Sequence, residues 1–173
     1  LKGASVLQIG TLSTNKLMGI LLASGGVPDT VAALAAEQSI ALPAVASQQL
    51  IAQNVPPELA EHSTVIKYPI VCVYCNKIAN VLREKFRMFS GDADMVIEAR
   101  ISQDRLEDMG TQTQLYVDAI TQVLDSNRGD WGDGVFYGGK YEVAFGGVKQ
   151  GGRNFIQIAK VSFVLDISAD SAD

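Results

Sequence analysis

Between Asp104 and Gly129, the residues Leu106, Met109, Thr113, Tyr116, Val117, Ile120, Val123 and Leu124 recur at helical spacing. They form one apolar stripe over about five turns. Asp104 and Glu107 stand three apart at its head, as in a capping box, and Gly129 stands where a helix stop is expected. Gly110 lies inside and weakens the first turns by about 1 kcal/mol relative to Ala. A helix with a single apolar stripe must lay that stripe against another layer. The rest of the chain offers a sheet. Val65–Asn76 reads as a strand that is apolar on both faces and therefore central. Asp92–Ser102 alternates, with Met95, Ile97, Ala99 and Ile101 on one face and Asp94, Val96, Glu98, Arg100 and Ser102 on the other. Beyond the helix, glycine pairs punctuate Val135–Tyr137, Lys140–Phe145 and Asn154–Ile167, where they suit hairpin turns. In the last segment Phe155, Ala159, Val161, Phe163, Leu165 and Ile167 share a face. The expected fold class is α+β, an antiparallel sheet of about four strands with one long amphipathic helix packed on it, plus short N-terminal helices and an extended arm.

The N-terminal third differs in character. Thr14–Ala23 reads as a short helix closed by Gly25 and Gly26, and Pro28-Asp29 opens a second through Ala36. Ser39–Glu61, with Pro43, Pro56 and Pro57, reads as an extended arm with short helical turns. Its apolar residues pack either on their own domain or against a neighbour. The 173 residues suit a single domain. Residues 1–62 supply the helices and arm, 63–168 the α+β core and 169–173 a frayed acidic tail.

Hydrophobic residues make up 47% of the chain and charged residues 19%, a globular composition. The net charge is −5, and the fourteen Lys and Arg are dispersed, which argues against a sequence-specific DNA surface. The longest apolar runs, Leu17–Ala23 and Ile40–Val45, fall short of the roughly 20 residues a membrane span needs. No basic segment followed by a long apolar run is visible near the first residue, so no secretion signal is expected.

Catalytic and metal signatures are weak throughout. Cys72 and Cys75 form a C-x-x-C pair, but within a strand they point to opposite faces. Zinc would need two further ligands, and the chain has one histidine, His62, and no other cysteine. They read as packed thiols. His62 has no motif around it to activate a nucleophile. No phosphate-binding glycine loop occurs. Asp130-Trp131-Gly132-Asp133-Gly134 lacks the complete acidic spacing of a calcium loop and reads as a turn whose Trp packs or meets a partner. Glu98 and Asp118 are adequately explained as solvated carboxylates. No catalytic, cofactor or metal residue is assigned. Arg83, Lys85 and Arg87 make the only basic concentration, read either as a solvated loop or as a contact to an acidic neighbour.

Two stretches carry a resemblance. Tyr68–Gly91 continuing to Glu107 contains the words KFRMFSG and SQDRLE, and Leu115–Val161 contains NRGDWGDG, YEVAFG and GGRNFIQIAK. Over roughly residues 50–168 the chain resembles structural proteins of the tail and neck of tailed bacteriophages, and within that group the tail terminators. The resemblance implies a virion protein, assembled in the host cytoplasm. Copies would form a ring, typically a hexamer, that ends the tail tube and joins it to the neck and head. Its partners would be tube and neck or connector proteins, with DNA passing through the lumen without sequence-specific binding and no membrane involved. On that model the Arg83–Arg87 loop (with Lys85) and the Glu98/Arg100 strand face would pair subunits. The loop around Trp131 and Tyr137 would be an aromatic anchor, and the N-terminal arm would lie on a neighbour. A head–tail connector, a tail-completion protein or a tube subunit are alternatives within the virion. An assembly chaperone or an unrecognised enzyme are alternatives outside it.

Overall fold

The computed structural model describes residues 8–54 and 67–170. His62, Pro56 and Pro57, and the first residues of the strand expected from Val65, lie outside them.

Two helices lead. α1 (Ile9–Leu22) buries Ile9, Ser13, Leu17 and Leu21, one residue per turn on one stripe. α2 (Val27–Gln38) begins with Pro28 in its first turn, and the Asp29 carboxylate accepts a bond from the Gly25 N–H at 2.7 Å. The corner between them requires Gly26, because a Cβ there would stand 2.3 Å from the Leu21 carbonyl oxygen. The run Ile9–Gln38 is apolar enough to raise the question of a membrane span, with a mean hydropathy of 1.5 in its richest stretch. It is nevertheless two helices of 14 and 12 residues, each shorter than the roughly 20 that crossing needs. Leu17, Leu21, Val27 and Val31 lie in the core.

After a 3-10 turn (Ser47–Gln49) come β1 (Leu50–Ile51), β2 (Ile70–Asn80), β3 (Phe89–Gln103), α3 (Met109–Ser126), β4 (Gly129–Asp130), β5 (Val135–Phe145), β6 (Lys149–Gly151) and β7 (Asn154–Ala169). The strands form one sheet in the order β1-β2-β3-β7-β5-β4, with β6 also pairing β7. It has seven strands, not about four. The four long ones match the expected segments, and the other three span only two or three residues each. Only β1–β2 is parallel. Val135–Tyr137 and Lys140–Phe145 are one strand, broken in register by a bulge between Tyr137 and Tyr141.

The helical cover is shared rather than provided by one helix. α1 meets β2 and β3, α3 meets β3, β5 and β7, and α2 stacks on α3. Met109, Thr113, Tyr116, Val117, Ile120, Val123 and Leu124 of the expected stripe are buried, but Leu106 is exposed. α3 starts five residues later than Asp104. Its N-cap is Asp108 at φ 61°, and no side chain caps it, so the capping box does not form. The described part of the arm packs on its own chain. Leu42, Val45 and Leu50 join the core, and the Tyr116 hydroxyl donates to the Pro43 carbonyl at 2.6 Å. Gln49 ties the arm to the approach of β2 by donating to the carbonyls of Lys67 and Pro69. Of the two readings of the arm, its described part matches packing on its own domain; residues 55–61 lie outside the described residues.

Candidate interaction surface

The loop Val81–Met88 joins β2 to β3. Asn80 shapes it: its Oδ1 accepts from the N–H groups of Leu82 and Ser90, and its Nδ2 donates to the Met88 carbonyl. The Met88 N–H donates to the Ala169 carbonyl, anchoring the loop to the end of β7. The basic cluster lies here, and its arginines, though solvent-accessible, are engaged by carboxylates of their own chain. Arg83 donates to Asp166 at 2.7 Å and to Asp92 at 2.8 Å, bridging β7 and β3. Arg87 donates to Glu84 at 2.9 Å and pairs with Asp170. These bonds hold both guanidinium pKa values above their ordinary range, Asp166 acting most on Arg83 and Glu84 on Arg87. Lys85 is exposed and forms no ion pair among the described residues. The apolar side chains of the loop also face out. Phe86 is 98% exposed, and Val81, Leu82 and Met88 are more than half exposed.

Glu98 and Arg100 lie two apart on β3, on the face away from Met95, Ile97 and Ala99. The ladder places Glu98 between Cys72 of β2 and Lys160 of β7. Its Oε1 accepts from the Tyr74 hydroxyl at 2.6 Å and Lys160 Nζ at 2.9 Å. Its Oε2 accepts from Arg100 Nε at 2.9 Å and Nη2 at 2.6 Å. Burial raises the carboxyl's pKa, but the bonds from Tyr74, Lys160 and Arg100 and the Arg100 charge outweigh it, leaving it below the usual value. Burial and the bond to Glu98 push the Tyr74 hydroxyl up. Arg100 keeps one buried nitrogen, Nη1, without a hydrogen-bond partner among the described residues. Glu98 and Arg100 are 3% and 2% exposed, so neither is a surface group offered to a partner. Each neutralises the other inside its own chain.

The aromatic pair is also turned inward. Tyr137 is fully buried, and Trp131 is half-buried with its ring 5.4 Å from Tyr137 and 6.4 Å from Phe163. The indole N–H donates to the Asn127 carbonyl at 2.7 Å. Burial, and then the Asp125 charge, push Tyr137 up to about 12. Gly134 is required in this turn. At φ 75°, it brings its backbone so close to β7 that a Cβ would stand 1.9 Å from the Ser168 carbonyl oxygen. Asp133 pairs with Lys16 of α1 at 2.6 Å, fastening the turn to the helical layer. Trp131 and Tyr137 thus hold the core together instead of presenting an anchor to solvent.

The two cysteines face opposite sides as expected. Cys72 is aligned with Glu98 and Cys75 with Met95. Burial raises both thiols, which keeps them protonated at neutral pH. Among the described residues, no three His, Cys, Asp or Glu side chains converge as a metal site would.

At the opposite end of the sheet, the turn after β5 and the β6–β7 hairpin enclose a cavity of about 480 Å³. Ala144, Ile156 and Ile158 give it an apolar lining, and Lys149 and Lys160 flank it. Its wall is braced through Gln157, which donates to the Gly146 carbonyl at 3.0 Å and accepts from Thr113 of α3 at 2.9 Å.

The structure therefore brings Arg83 together with Arg87, Glu98 with Arg100, and Trp131 with Tyr137, as three separate groups. Sequence reasoning missed Phe86 and its apolar neighbours. Their signal was apolar residues interleaved with charges in a turn between two strands. No protein-family model matches the chain, and no curated protein does either.

Proposed function

We propose that this chain is a structural subunit of a bacteriophage tail, a tail terminator whose copies close into a ring at the end of the tail tube and join it to the neck. The observation that carries the reading is the Val81–Met88 loop. Ion pairs to Asp92, Asp166 and Glu84 hold it in shape, while Phe86 stands 98% exposed. An apolar side chain held out on a braced loop suits an assembly contact, because aromatics supply much of the energy at interface centres.

The sheet edge adds to this. β1 covers only Val71 and Cys72 of β2, so among the described residues the rest of that edge has no strand partner. Such an edge can accept a strand from another subunit. The acidic charge of −5 suits a wall past which DNA slides without adhering. The role is structural rather than enzymatic, in the virion, with tube and neck proteins as partners.

Absolute copy number in purified particles, measured by quantitative mass spectrometry, tests the proposal. About six copies per particle is the expected result for a terminator ring, whereas about twelve would indicate a connector and on the order of a hundred a tube subunit. Absence from intact particles would overturn the virion reading and favour an assembly chaperone or an enzyme.

A further inference from the structure

We infer that the joint between neighbouring subunits is head-to-tail, with the Phe86 loop of one copy seated in the cavity between Ala144 and Lys160 of the next. The inference rests on the reading that copies of this chain assemble, and it names the surfaces that meet.

The two features match in kind. One is a projecting apolar side chain, and the other is a cavity of about 480 Å³ lined by Ala144, Ile156 and Ile158, within the usual size range of a binding pocket. They are also complementary in charge. Residues 81–94 and 164–170, which surround the loop, carry five carboxylates against three cations. The cavity is lined by Lys149 and Lys160 and by no carboxylate; Glu98 pairs with Lys160 but also with Arg100, so this end keeps a positive balance. In a chain of net charge −5, this is a local reversal of sign at the place where an acidic end would dock.

Position then sets the symmetry. Phe89 of β3 pairs with Ala169 of β7 beside the loop, and Gln103 pairs with Phe155 beside the cavity. The lining residues Ile156, Ile158 and Lys160 lie opposite Ser102, Arg100 and Glu98, so the two features lie about 30–40 Å apart along the strand. One copy cannot fill its own cavity. A projection and a receptor at opposite ends of one chain make a heterologous contact, which closes into a ring when the rotation per subunit allows it.

Sedimentation velocity on the full chain tests the joint through two substitutions at exposed positions. Phe86→Asp removes the projection, and Ala144→Glu fills and recharges the cavity, while circular dichroism checks that both remain folded. Each variant alone is expected to weaken self-association at least about tenfold. Mixed in equal amounts, they retain one intact projection and one intact cavity between them. The mixture is therefore expected to form a dimer and nothing larger. The joint is overturned if Phe86→Asp assembles like wild type, if the mixture gives no dimer, or if the wild-type chain stays monomeric at about 1 mM. It is also overturned if Phe86→Asp self-associates normally but no longer enters particles, since the loop then meets a different protein. The count of about six copies per particle stands or falls separately, so a ring built through other surfaces remains distinguishable.

Discussion

The Glu98 carboxylate accepts four hydrogen bonds while almost wholly shielded from water. Glu98→Ala leaves Arg100 buried without its counter-charge and is expected to destabilise the fold by about 3 kcal/mol, read as a lower urea midpoint at unchanged slope. Replacing both members, as in Glu98→Leu with Arg100→Met, is expected to recover most of that loss, because an apolar pair needs no compensation. The pH dependence follows from the sign of the shift. The folded pKa of Glu98 lies below its unfolded value, so its contribution is complete above the usual carboxylate range near about 4 and is lost as pH falls through the folded value. Glu98→Gln is expected to flatten the acid limb of a stability–pH curve below about pH 4. Alternation along β3 assigned both side chains to the correct face, but it carries no information about whether that face is shielded. Lys160 and Tyr74, the partners that make burial tolerable, come from strands distant in sequence, and no local pattern links them to Glu98.

Among the elements, the long helix was legible because seven of its eight stripe positions meet the core. Its start was not. Asp104 and Glu107 match the spacing of a cap, but a backbone turn at Asp108 sets the helix direction instead. The long strands were legible by alternation. The three short ones contain too few residues to show any period, and they exist because a neighbouring strand supplies the ladder. Two glycines test the element-level account. A Cβ at Gly110 meets nothing within 4 Å, so Gly110→Ala is expected to raise stability by about 0.5 kcal/mol and the melting temperature by about 1–2 °C. Gly134→Ala meets the Ser168 carbonyl in a left-handed conformation and is expected to cost more than about 2 kcal/mol. Differential scanning calorimetry separates the two directions.

For the whole molecule, the distribution of charge matters more than its total. Carboxylates outnumber cations around the Val81–Met88 loop, whereas the residues lining the opposite cavity include Lys149 and Lys160 and no carboxylate. Self-association through these ends is expected to weaken as salt rises from about 50 to 500 mM, since the Debye length shortens to a few ångströms over that range. A purely apolar contact would hold or strengthen, and light scattering across a salt series distinguishes the two. The loop and the cavity are connected by the β3–β7 ladder, which runs unbroken from Phe89 and Ala169 to Gln103 and Phe155. A pull applied at one end and resisted at the other travels along these strands, not across them. The ladder is then loaded in shear, and its hydrogen bonds share the force together instead of opening one after another. A ring of such subunits would bear tension around its circumference through its stiffest direction.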